Sequence, residues 1–173
     1  MLKIQTLRSE KDDEESDLSI YNIISFPADF TLKVLWDKSR AKEITVPFFQ
    51  RYYVWNIQQA SRLIESFLLG LPVPAIFLYK DTKTQILQVI DGQQRMTSIF
   101  AYFDGIFPGT TSTFRLKNVH PKWEGKSYEE LDDPDKIRLR DTVLRATIIN
   151  QTDPKDNKMR GRREGSRLRF QRA

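Results

Sequence analysis

Asp91, Gly92, Gln93, Gln94 and Arg95 stand in a row, and together they hold the parts of an anion site. Glycine lets an anion approach the main chain. A helix that starts here offers amides with no internal partner and the positive end of its dipole. Arg95 adds a planar, bidentate charge. Asp91 is the odd carboxylate beside this cradle, suited to a metal or a polarised water. The same letters also have a purely structural reading. Asp-Gly is a hairpin-turn signal, and Arg95 could simply pair with Asp91 and hold the turn. Against the hairpin, Met96, Ile99, Phe100 and Phe103 follow at helical spacing.

Gln50, Arg51, Tyr53 and Trp55 form a second group. Aromatic residues of this kind usually pack in a core or at its rim. The functional reading is a base-stacking wall, Tyr53 or Trp55, beside a phosphate-binding Arg51.

Both groups need elements to position them. The apolar run Ile86–Ile90 reads as a strand feeding the Asp91 turn, and Ala75–Tyr79 reads as its hairpin partner. Both strands are nearly continuous in apolar residues, which predicts a sheet covered on both faces. Asn56 with Gln59 is a capping box. It opens a helix with Ile57, Ala60, Leu63, Ile64, Phe67 and Leu68 on one face, closed by Gly70. Upstream, Asp29 reads as the N-cap of a helix bearing Leu32, Leu35 and Trp36, and Ile44–Val46 as a short strand stopped by Pro47. Downstream, Phe114–Leu116 reads as a short strand and Ser127 with Glu130 as a capping box. Asp133-Pro134 then opens a helix, and Val143–Ile149 is a last strand. Helices and strands alternate irregularly, which predicts an α+β fold with a small mixed sheet flanked by helices.

Composition sets the limits. The 173 residues suit one domain and contain no cysteine, which removes disulfides, cysteine-held zinc and thiol catalysis. No apolar run reaches membrane-spanning length and no leader pattern opens the chain, so a cytoplasmic protein without membrane contact is expected. The formal charge of +5 lies entirely in the tail: residues 153–173 carry eight basic and three acidic side chains, and residues 1–152 are balanced. Net charge therefore gives no support to a basic nucleic-acid face on the folded part. The expected organisation is an acidic, flexible lead-in over 1–17, a domain over 18–150, and a basic, disordered tail over 151–173.

The ordered motifs carry a resemblance. Pro-Phe-Phe-Gln-Arg-Tyr-Tyr-Val-Trp at 47–55, Leu-Ile-Glu-Ser at 63–66, Gly-Leu-Pro-Val-Pro at 70–74 and Val-Ile-Asp-Gly-Gln-Gln-Arg at 89–95 closely resemble the N-terminal domain of GmrSD-type restriction endonucleases. The resemblance covers about Phe30 to Ile149. It implies a ParB/sulfiredoxin-like compact domain, and nucleoside triphosphate binding with hydrolysis in restriction and phage defence. The residues implied are Asp91 (with magnesium), Gln93, Gln94 and Arg95 for catalysis, and Gln50, Arg51, Tyr53, Trp55 and Gly92 for the nucleotide. The family's Phe-x-Arg-Leu-Asn type motif is not found here, and one histidine, His120, cannot supply a His-Asn-His nuclease. The chain thus resembles a shortened member, with nuclease activity expected from a separate subunit or a missing C-terminal region. The rival reading is a ParB-like module that grips DNA phosphate without catalysis. A third is an inactive truncated member.

Overall fold

The computed structural model describes residues 22–47 and 52–152. The lead-in, the tail beyond Thr152, and Gln50 and Arg51 lie outside the described residues.

The chain runs β1 (Asn22–Thr31), α1 (Leu32–Arg40), β2 (Ile44–Thr45), α2 (Ile57–Leu69), β3 (Ile76–Lys80), β4 (Leu87–Asp91), α3 (Gln93–Asp104), α4 (Asp133–Asp141) and β5 (Val143–Thr152). The strands form one mixed sheet in the order β1-β5-β3-β4-β2. β1 pairs antiparallel with β5, with Ala28 opposite Ala146, and β3 lies parallel to β5, with Leu78 opposite Ile148. β3 and β4 form the antiparallel hairpin, with a register shift between Phe77 and Leu78 that carries the chain into Asp91. The α+β expectation is met.

The buried strand residues Ile76, Leu78, Leu87, Val89, Leu144, Ala146 and Ile148 alternate along the chain and share one face of the sheet. They pack on Leu35, Ile64, Phe67, Leu68, Met96, Ile99 and Tyr102 from the helices. On the other face Phe77, Ile90 and Val143 are exposed. The expected cover on both faces is therefore corrected: among the described residues the sheet has helices on one side. A continuous apolar run did not distinguish inward from outward positions, because the outward ones are apolar too.

Three further expectations change. Asp29 does not cap α1. It lies in β1 opposite Arg145, and Thr31 caps the helix through its side-chain oxygen. Pairing with β5 claims Asn22–Thr31 for the sheet, and Pro27 is tolerated because β1 is an edge strand. Phe114–Leu116 is not a strand: the only pairing nearby is a single bridge between Ile106 and Thr113, although Phe114 and Leu116 are buried. Glu130 does accept from the Ser127 amide at 2.9 Å, but in a turn, and the helix starts at Asp133.

The Asn56–Gln59 capping box forms as expected, with Gln59 N–H to Asn56 Oδ1 at 2.9 Å and Asn56 N–H to Gln59 Oε1 at 3.0 Å. Gly70 closes α2 with a left-handed φ of 73°. No described helix is long and apolar enough to cross a membrane.

Candidate functional site

β4 ends at Asp91, Gly92 turns the chain with φ 93° and ψ 16°, and α3 begins at Gln93. The first intrahelical bond of α3 runs from Met96 N–H to the Gly92 carbonyl at 2.9 Å. Geometry therefore leaves the amides of Gln94 and Arg95 without an i−4 carbonyl inside the helix. Gly92, as N-cap, supplies no side-chain acceptor for them. A Cβ on Gly92 would lie 2.5 Å from Ile76 Cγ2 and 3.3 Å from Arg95 Nη2, so the position is closed to any side chain.

These amides border an open cavity of about 460 Å³ lined by Trp55, Ile90, Asp91, Gly92, Gln93, Gln94 and Arg95. The volume lies within the range of small-molecule sites. Two sequence groups forty residues apart thus meet in one place. Of the aromatic pair, only Trp55 lines the cavity. Tyr53 turns inward, with its hydroxyl 2.8 Å from Ser98 Oγ and its ring edge-on to Phe107. Burial pushes its hydroxyl above the ordinary tyrosine value, against a smaller opposite pull from the Ser98 bond.

Arg95 is mostly buried, with 14% of its side chain exposed. Its Nη1 donates to the Pro74 carbonyl and, at 3.3 Å, to the Ala75 carbonyl, while Nη2 donates to Asp91 Oδ2 at 3.1 Å. The guanidinium thus ties the Gly-Leu-Pro-Val-Pro segment to the turn, and its positive charge sits beside the cavity. The structural reading of the Arg95–Asp91 pair is present in the fold, and the pair lines the cavity.

Gln94 is also engaged. Its Oε1 accepts from Val54 N–H at 2.9 Å and Trp55 N–H at 3.2 Å, and its Nε2 donates to the Tyr52 carbonyl at 3.1 Å. Ser98 Oγ donates to the Gln94 carbonyl at 2.7 Å, so the Tyr53 hydroxyl donates in turn to Ser98.

Asp91 leaves 66% of its side chain exposed at the cavity mouth. Among the described residues no group of three or more metal-ligating side chains comes together. The residues fit a magnesium ion that arrives with phosphate oxygens and keeps its waters, for which one carboxylate suffices. They do not form an all-protein metal cage.

Sequence reasoning missed Ser98, Ile76 and the Pro74 and Ala75 carbonyls as parts of the site. Gly92 does point to a close neighbour, and Ser98 stands one turn after Gln94. Nothing in the spacing pairs Arg95 with carbonyls twenty residues earlier.

The family model described as GmrSD restriction endonuclease, N-terminal domain, matches residues 32–171. No curated protein and no solved structure matches the chain.

Proposed function

The chain belongs to the family of GmrSD restriction endonuclease N-terminal domains, and from that premise we propose that it binds, and hydrolyses, a nucleoside triphosphate in restriction of foreign DNA. The observation that carries this reading is the uncapped start of α3, opening on a cavity walled by Trp55. The amides of Gln94 and Arg95 hold phosphate oxygens, and the buried Arg95 charge offsets theirs. Trp55 offers a face for the base. Asp91 would hold a magnesium ion that comes with the nucleotide, or the attacking water; bound there, the ion would spread the charge that shifts in phosphoryl transfer. Gln50 and Arg51 are proposed as further phosphate contacts from the adjoining segment.

Thermal melting with magnesium and each ribonucleoside triphosphate tests the site. Ligand at a hundred times its dissociation constant stabilises by about 2.7 kcal/mol. A clean transition that no triphosphate shifts overturns the reading.

A second reading rests on the engagement of Gln94 and Arg95 with protein carbonyls and amides. Side chains already committed to the scaffold suit binding better than turnover, as in a module that grips DNA phosphate. In that case triphosphate shifts the melting without release of inorganic phosphate. DNA affinity then survives deletion of residues 153–173 and falls steeply with salt.

A further inference from the structure

We infer that Gln94 decides the preference of this site for a nucleoside over a bare polyphosphate, by fixing Trp55 against the phosphate cradle. The inference rests on the nucleotide reading above and assigns Gln94 a positioning role within it.

The argument begins with the capacity of a primary amide. Its oxygen accepts two hydrogen bonds and its nitrogen donates two. In Gln94 both oxygen positions are taken by the Val54 and Trp55 amides, and the nitrogen donates to Tyr52. An oxygen so occupied has no lone pair left to orient a water unless the latch opens. The same residue is the second of α3, so its main-chain N–H belongs to the cradle while its side chain holds the segment that carries Trp55. Its carbonyl is also bound, through Ser98 to the Tyr53 hydroxyl. Three parts of one residue therefore set the offset between the phosphate amides and the indole. Two consecutive backbone amides caught by one oxygen, with the preceding carbonyl caught by the nitrogen, fix direction as well as distance. Linkage makes the effect reciprocal: a ligand that touches both the amides and Trp55 must also stabilise the latch.

The test compares binding of a magnesium nucleoside triphosphate with that of magnesium tripolyphosphate, which has the phosphates and no base. Titration calorimetry on the full chain covers the unchanged protein, Q94L and Q94E. The unchanged protein should prefer the nucleotide. Q94L fills the space without hydrogen bonds and should lose that preference about tenfold, with tripolyphosphate affinity changed less than twofold. Q94E keeps both acceptor bonds but sets a carboxylate oxygen against the Tyr52 carbonyl, so it should lose less of the preference than Q94L, while its added charge weakens both ligands together. Equal weakening of both ligands in Q94L, or no change in either, overturns the inference. Amide exchange at Val54 and Trp55 in unliganded protein gives a reading free of ligand. It should be slow in the unchanged protein, intermediate in Q94E, and at least tenfold faster in Q94L. Exchange equal in all three also overturns it. If the unchanged protein binds tripolyphosphate and nucleotide alike, the inference falls and the cradle stands. If it binds neither, the nucleotide reading falls and takes the inference with it.

Discussion

Replacing Gly92 by alanine should destabilise the fold by about 2–5 kcal/mol, the sum of a left-handed backbone on an L-residue and an overpacked contact. The added Cβ would meet Ile76 Cγ2 at 2.5 Å, on a β-branched side chain with no free rotation to yield. Chemical denaturation of G92A checks this, and a loss under 1 kcal/mol would show that the turn relaxes. At this scale the sequence was informative about residue types and silent about their partners. Gly92 before a helical run announced the turn into α3. The destination of the Gln94 amide could not be read, because three bonds to backbone groups leave no trace in the identities of Tyr52, Val54 and Trp55. Arg95 was legible as the partner of Asp91, and its charge lies beside the cavity at the start of α3.

Among the elements, α2 was the most legible. Its face, its box and its terminal glycine all follow from side-chain chemistry within the helix itself. N56A should therefore cost about 1 kcal/mol, measured by denaturation, with the α2 amides of Gln59 and its neighbours exchanging faster. A variant as stable as the unchanged protein would mean that packing of Leu63, Ile64 and Phe67 alone holds the helix start. β1 was the least legible. It contains a proline, a serine and an aspartate, and it becomes a strand only because β5 lies beside it. Asp29 looked like a cap because the local signal for capping was genuine, and a partner more than a hundred residues away overrode it.

For the whole molecule, stability should fall as the pH drops below the ordinary carboxylate range. Arg115, bonded at 2.9 Å, and then the Ser127 amide hold Glu130 well below its usual value, from 4.5 to about 2. The Val119 and Asn118 amides lower Glu124, and the Thr84 and Lys83 amides lower Asp81. Between those values the unfolded chain binds more protons than the folded one, so protonation favours unfolding. The melting temperature should hold steady above about pH 5 and decline towards pH 2, with a shallower decline in E130Q. An unchanged slope in E130Q would assign the acid sensitivity to other groups. The sheet has another consequence at this scale. Its order seats the last strand, Val143–Thr152, between β1 and β3. During synthesis, the opening strand must therefore leave the ribosome and wait unpaired until residue 152 has followed it out. The start of α3 at Gln93 is synthesised nearly sixty residues before the end of β5 at Thr152. Closure joins the two ends of the fold, and such long-range pairing is slow. For this chain, the emergence of β5 sets when the sheet becomes whole.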